Sequence, residues 1–341
     1  MTMRLLPPPL IEVADLSQSV PAGGWMFRRP PLRILSDLSF RVSEGEMLGI
    51  VGESGCGKST LARLLAGLDR PSAGRITVAG TDPAPRNRLA YRKSRSRLQY
   101  VFQDPMSALN PRLTIGYQVA EGIRTHRVAD DPQAKAREWL SRVGLGRDHA
   151  ERYPHQLSGG QRQRAVMARA LAVEPVFTVF DEPVSALDVS VQAQVLNLLA
   201  DLRRQLGLTG VFISHDLRVV RYISDRIAVM YLGQIVELGT ADEVFHDPRH
   251  PYSQALIGAL LSPDPGAPRR RKALVGGPPD ISAPPSGCRF HPRCPRATQL
   301  CREAPPVLTR ARDGRQVACH HDQTGVLPST PQAARAKVMA Q

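Results

Sequence analysis

The stretch from Met47 to Thr60 constrains this chain more than any other. Met47–Val51 is an uninterrupted apolar run, as a strand buried on both faces requires. It breaks at Gly52, and Leu61, Leu64, Leu65 and Leu68 then recur at helical spacing. Between strand and helix, Gly52-Glu53-Ser54-Gly55-Cys56-Gly57-Lys58-Ser59-Thr60 fits the pattern G-x-x-x-x-G-K-S/T. Glycines let the backbone bend until successive N–H groups converge on phosphate oxygens, and the helix that follows adds the positive end of its dipole. Lys58 then reaches the β- and γ-phosphates, and the Ser59 hydroxyl meets Mg2+. Gly52, Ser54, Gly55, Cys56, Gly57, Lys58, Ser59 and Thr60 are the candidate phosphate-binding residues. Cys56 reads as a small residue that suits the turn, with a redox role as the alternative.

The rest of the chain supplies a sheet for this strand. Short β segments are expected at Leu10–Val13, Leu38–Val42, Arg75–Val78, Val176–Phe180 and Val211–Ile213, with Ile227–Met230 and Ile235–Leu238 as a closing hairpin. Helical patterns fall between them, at Pro132–Val143, Ser158–Ala172 and Val191–Leu206. Strands alternating with helices predict an α/β fold with a mainly parallel sheet. No stretch approaches the roughly 18 uncharged apolar residues of a membrane-spanning helix. Met1–Pro9 lacks the apolar segment of a secretory signal, so the chain is expected in the cytoplasm.

Charge is less decisive. Lys+Arg 45 against Asp+Glu 31 leaves +14, which suits nucleic acid, phosphate-bearing ligands or a membrane surface. Only five of the 45 are Lys, so a genome that favours Arg explains the excess equally well. Six basic residues and no acid lie in 86–97, either a solvated helix face or an anion-contacting patch.

Two further segments carry chemistry. Val176–Phe180 ends at Asp181-Glu182. A phosphate-binding loop needs a carboxylate from a neighbouring strand end to complete the Mg2+ shell. Asp181 takes that role, and Glu182 beside it would polarise an attacking water. Leu157-Ser158-Gly159-Gly160-Gln161 is a helix start: Ser158 is a good N-cap, and the two glycines free the N–H groups of the first turn. Ser158, Gly159, Gly160 and Gln161 thus form a second phosphate cradle. One γ-phosphate does not need two cradles from one chain, so the second is expected to serve a nucleotide held by a partner.

This ordered set resembles the ATP-binding subunits of ABC transporters over about residues 10–250. Gln103 in Val101-Phe102-Gln103-Asp104-Pro105 matches the family's Q-loop, Leu157–Gln161 its signature, Ser185-Ala186-Leu187-Asp188 its D-loop, and His215 in Ile213-Ser214-His215-Asp216 its switch histidine. The resemblance implies ATP as substrate, Mg2+ held by Ser59, Gln103 and Asp181, and catalysis by Glu182, His215 and Gln103. It implies a RecA-like core with an antiparallel β subdomain and a helical subdomain at about 104–172. Phe102–Pro105, Leu109-Asn110-Pro111-Arg112, Arg152-Tyr153-Pro154-His155 and His250-Pro251-Tyr252 resemble the oligopeptide/dipeptide/nickel importer branch, and in it the F-type of two paired ATPases. Expected partners are a second ABC ATPase in a heterodimer, two transmembrane permeases, and an extracytoplasmic substrate-binding protein reached through the complex. The location implied is the cytoplasmic side of the inner membrane. The family stacks adenine on an aromatic near Val20, which cannot do this; Trp25 or Phe27 is the candidate substitute, and adenine stacking is left unassigned. ABC ATPases of DNA repair are the competing class, but they insert coiled coils or zinc modules where only ~100 residues without sustained heptads separate loop and signature here. No nucleic acid partner is therefore expected.

Seven prolines between Pro263 and Pro285, beside Arg269-Arg270-Arg271-Lys272, predict a linker. With the resemblance ending near 250, the chain is expected to divide into an ATPase domain (1–250), an importer-type C-terminal extension (251–325) and a tail (326–341). Four of five cysteines, Cys288, Cys294, Cys301 and Cys319, lie in the extension, spaced unlike the close Cys-x2-Cys pairs of common zinc sites. Four thiolates suit tetrahedral Zn2+ or a [4Fe–4S] cluster. The importer resemblance favours the cluster, with His291, His320 and His321 as backup ligands.

Overall fold

The computed structural model describes residues 9–22, 29–259, 280–311 and 313–322. Trp25, Phe27, the basic run at 269–272, most of the proline-rich linker and residues 326–341 lie outside them.

Eleven strands are found among the described residues: β1 (Ile11–Ala22), β2 (Arg29–Val42), β3 (Met47–Val51), β4 (Ala73–Val78), β5 (Leu98–Val101), β6 (Phe177–Asp181), β7 (Gly210–Ile213), β8 (Arg226–Tyr231), β9 (Gln234–Thr240), β10 (Thr309–Arg310) and β11 (Gln316–Val317). The larger sheet has the order β10-β11-β9-β8-β3-β7-β6-β5. Its strands β8, β3, β7, β6 and β5 run parallel, and β9 turns back antiparallel on β8. The apolar run at β3 shows why both faces must be covered. Met47 and Val51 enter one buried cluster with the helices Gly159–Leu171, Val189–Leu206 and Leu217–Ile223. Leu48 and Ile50 enter another with the helix Lys58–Leu65 and strands β1, β2 and β4. β7 divides in the same way, Phe212 to the first cluster and Val211 and Ile213 to the second. Period-2 alternation within continuous apolar runs is what a doubly covered parallel sheet demands.

The antiparallel β subdomain is the three-stranded sheet β2-β1-β4. Its strands are longer than the sequence pattern predicted: β1 continues past Val13 to Ala22, and β2 begins at Arg29 rather than Leu38. Pro30 and Pro31 do not interrupt β2 because it is an edge strand of this sheet, where missing N–H donors are tolerated. Helices fill the region expected to be helical, at Pro105–Ala108, Ile115–His126, Pro132–Arg142, Arg147–Ala150 and Gly159–Leu171, around the buried Trp139. The basic run forms the helix Arg88–Arg97, none of whose residues is buried.

Beyond the linker the chain returns to the cassette. β11 adds antiparallel to the open edge of β9, pairing Gln316 with Leu238 and Val317 with Glu237. Phe290 joins the first buried cluster, edge-on to Tyr231 at 5.2 Å and to Tyr252 at 5.5 Å.

Candidate nucleotide site

The phosphate loop connects β3 to the helix Lys58–Leu65. Gly57 is that helix's N-cap, with φ 103° and no side-chain cap, so the first-turn N–H groups have no competing side-chain acceptor there. A side chain at Gly57 would be strained by this φ and would meet Leu35 at 2.7 Å. Lys58 is only 6% exposed, and its Nζ donates to the carbonyls of Gly52 at 2.8 Å and Glu53 at 3.0 Å. Cys56 is buried against the loop, and burial pushes its thiol up, away from the reactive thiolate.

Asp181 closes β6 directly beside this helix start. Its Oδ1 accepts from Ser59 Oγ at 3.4 Å and its Oδ2 from Tyr100 OH at 2.5 Å. Burial raises the Asp181 carboxyl above its ordinary value, while the hydrogen bonds from Tyr100 and Ser59 pull it back. A hydroxyl and a carboxylate presented together are hard oxygen donors that suit Mg2+, whose remaining positions phosphates and water fill. The residues fit the ion.

The chain turns sharply at Glu182, whose φ is 46° and whose N–H donates to the Ile213 carbonyl at 3.0 Å. That turn points its carboxylate at two side chains from other elements. Gln103 Nε2 donates to Oε2 at 3.3 Å, and His215 Nδ1 meets the same oxygen at 3.2 Å. Gln103 Nε2 also donates to Ser185 Oγ at 3.4 Å, whose hydroxyl donates to the Glu182 carbonyl at 3.1 Å. Gln103, Glu182, Ser185 and His215, spread over more than a hundred residues of sequence, meet at one point.

The second cradle stands apart. Ser158 Oγ accepts from Gln161 N at 3.3 Å, and Gln161 Oε1 accepts from Ser158 N at 2.9 Å, a reciprocal capping box. Gln161 Nε2 meets His149 Nε2 at 3.2 Å. A Cβ on Gly160 would lie 2.4 Å from Val191 Cγ1, so that position admits only glycine without repacking. Among the described residues no hydrogen bond joins this segment to the loop at 52–60.

Sequence reasoning missed three groups here. Tyr100 bonds Asp181 from β5, and Tyr252 OH accepts from Glu53 N at 2.9 Å. Arg293, in the C-terminal extension, grips the Glu53 carboxylate with both terminal nitrogens, at 2.8 and 2.9 Å. Only Tyr252 had a sequence signal, in the motif His250-Pro251-Tyr252. Val20, the position where an adenine-stacking aromatic was expected, pairs with Leu32 in the β1–β2 ladder.

Cys288, Cys294, Cys301 and Cys319 all line one small cavity, with His250, His291, His320 and His321 around it. Cys301 Sγ lies 3.7 Å from His321 Nε2. Burial pushes Cys288 up to about 11 and raises Cys294 and Cys319 as well. His291 Nδ1 and His320 Nε2 are engaged by the carbonyls of Cys288 and Ala304 at 3.0 and 2.9 Å. The thiol chemistry suits the expected cluster or Zn2+, but the placement does not. Among the described residues no group of three or more His, Cys, Asp or Glu is arranged to hold a metal ion.

A phosphate loop, a Ser–Asp pair for Mg2+, and a glutamate shared by a glutamine and a histidine define an ATPase with the ABC cassette fold. Solved structures agree: a dimeric ATP-binding cassette in a post-hydrolysis state, bound to ADP and Pi, matches with a TM-score of 0.61 and 29% identity, covering 68% of this chain and 98% of that one. Residues 35–185 match the ABC transporter model, and residues 236–301 match the oligopeptide/dipeptide transporter C-terminal region. A probable peptide ABC transporter ATP-binding protein of Sinorhizobium fredii is 50% identical over 91% of this chain and 89% of its own length. The oligopeptide transport ATP-binding protein OppF of Salmonella typhimurium is 48% identical over 88% and 92%. The chain belongs to the peptide-importer ATP-binding proteins of the ABC transporter family. The competing reading as a nucleic-acid ATPase finds no support in these matches.

Proposed function

We propose that this chain is the ATP-hydrolysing subunit that energises peptide uptake, working head to tail with a second ABC ATPase in a heterodimer. The Glu182 carboxylate shared between Gln103 and His215 carries the reading, because it gathers a base, a metal-side residue and a γ-phosphate contact at one point. Lys58 and the N–H groups of the loop bind the β- and γ-phosphates. Ser59, Asp181 and Gln103 would hold Mg2+, which neutralises phosphate charge when bound. Glu182 orients and deprotonates the attacking water, and His215 bonds the γ-phosphate. Ser158–Gln161 serves the nucleotide on the partner's loop; among the described residues no hydrogen bond ties it to this chain's own loop. ATP favours the closed dimer and hydrolysis releases it, which drives two permeases between inward- and outward-facing states. Peptide reaches the permeases from an extracytoplasmic binding protein, and the subunit sits peripherally on the cytoplasmic face of the inner membrane. Among the described residues no helix is long and apolar enough to cross a membrane.

The division proposed is an ATPase domain at 1–250, an importer-type extension at 251–325 and a tail at 326–341. In the extension, a metal site of Cys288, Cys294, Cys301 and Cys319, a [4Fe–4S] cluster in preference to Zn2+, rests on the family resemblance and on the cavity shared by the four thiols, which are not arranged as a ligand set. Copurification of the tagged chain from native membranes is expected to recover two permeases and a second ATPase, with ATP turnover stimulated by peptide-loaded binding protein. Recovery without permeases, or stimulation by DNA instead, overturns the importer reading. Anaerobic purification with metal analysis and a visible spectrum tests the cluster: colourless protein with one zinc replaces it by zinc, and metal-free protein with four titratable thiols removes the site.

A further inference from the structure

Glu53 is held at three points, and two of the holds come from outside the phosphate-loop motif's own neighbourhood. Its carbonyl accepts from Lys58 Nζ at 3.0 Å. Its N–H donates to Tyr252 OH at 2.9 Å, across 199 residues of sequence. Its carboxylate takes both terminal nitrogens of Arg293, at 2.8 and 2.9 Å, across 240 residues. Arg293 is well enclosed, with a side chain 9% exposed, and it also donates to Tyr231 OH at 3.4 Å. Phe290, three residues earlier, is wedged against Tyr231, Tyr252 and His250 and fixes the segment from which Arg293 projects. A carboxylate on a loop built to receive phosphates opposes its ligand unless its charge is matched. The forked guanidinium both neutralises it and sets its direction.

We propose that Arg293 is a positioning residue for ATP binding: the C-terminal extension reaches back to the phosphate loop and holds Glu53 aside, so that Lys58 and the loop N–H groups face the phosphates. The inference rests on the reading of residues 52–60 as the ATP-phosphate site. It needs no metal at the neighbouring cysteines. Because Arg293 touches the loop and not the reacting atoms, its loss weakens ATP binding and spares the chemical step.

The test is steady-state ATPase kinetics of the assembled transporter, with nucleotide affinity of the full-length chain measured alongside. Arg293→Ala is expected to raise the KM and Kd for ATP about tenfold with kcat within about twofold, as for loss of one partner of a partly buried ion pair. Adding Glu53→Gln removes the unmatched charge, and the double variant is expected to recover most of that affinity. A residue that merely held the extension in place gives no such recovery. Arg293→Lys keeps the charge without the fork and is expected to raise KM about threefold, which covers the case where Arg293→Ala fails to accumulate. A KM unchanged in Arg293→Ala or Arg293→Lys, or a defect that Glu53→Gln does not relieve, overturns the proposal. Lys58→Ala is the control: if it binds ATP normally, the reading of the loop itself has failed rather than the role of Arg293.

Discussion

Removing one oxygen atom tests the metal side of the site. Tyr100→Phe deletes the hydroxyl that donates to Asp181 Oδ2 at 2.5 Å and keeps the ring, which packs on Phe102 with centroids 4.6 Å apart. Asp181 is only 6% exposed, so water does not replace the lost donor. A hydrogen bond to a charged group contributes about 1.5–3 kcal/mol, against about 0.5–1.5 kcal/mol when both partners are neutral. The variant should therefore lose about 2 kcal/mol at a pH where Asp181 is ionised, and about 1 kcal/mol once it is protonated.

The sign of the pH dependence follows from the same geometry. Burial already raises the Asp181 carboxyl, and Tyr100 lowers it by favouring the anion. Without Tyr100 the folded-state value rises further above the unfolded one. The destabilisation is thus largest on the alkaline side and shrinks as pH falls through the folded-state value. Urea denaturation of wild type and variant across a pH series, without nucleotide, measures this difference directly. Mg2+ prefers the ionised carboxylate, so the variant should also need more Mg2+ for half-maximal ATPase activity, and increasingly so as pH falls. A pH-independent stability loss, or an unchanged Mg2+ requirement, refutes the argument that Tyr100 acts through the Asp181 anion.

Two other substitutions separate the remaining roles. Glu182→Gln is expected to keep ATP binding while lowering turnover at this site by about 10²–10⁴-fold, the range of a lost general base. Near-normal turnover in a complex whose partner ATPase is also disabled rules this out. Ser158→Arg should leave nucleotide binding by the isolated chain within about twofold, since the loop at 52–60 is untouched, yet block ATP-driven association by placing bulk and charge at the signature. Loss of binding as complete as in Lys58→Ala, measured by fluorescent nucleotide titration, contradicts a role in trans.

Much of what was legible in this sequence is backbone chemistry, encoded by neighbours; the Ser59–Asp181 pair, 122 residues apart, was legible because each residue sits in a motif of its own. Gly57 and Lys58 announce a helix start open to phosphate because the turn and its lysine are contiguous. Ser158 and Gln161 announce a capping box for the same reason. β3 was legible because burial on both faces leaves no polar position to blur it. β1 and β2 were read short because an edge sheet tolerates prolines and register shifts that erase the periodic signal. The convergence of Gln103, Glu182 and His215 was reached only through family likeness, since nothing in local pattern relates positions so far apart.

What stayed hidden were side-chain pairs made by the tertiary fold. Tyr100 sits 81 residues from Asp181, in a four-residue strand whose identity comes from pairing with β6. Arg293 looks like any other arginine in an Arg-rich chain until the extension folds back beside β8 and β9. That return also alters how the proline-rich linker is understood. It reads as a separator, yet the segment it leads to adds β11 to β9, inserts Phe290 among Tyr231 and Tyr252, and pairs Arg293 with the phosphate loop. A linker between two independent bodies would leave the loop indifferent to the extension. Here truncation before residue 280 removes two strands, an aromatic wedge and the counter-charge of Glu53 together. The extension is therefore packed against the phosphate loop, and it holds Glu53 by its carboxylate.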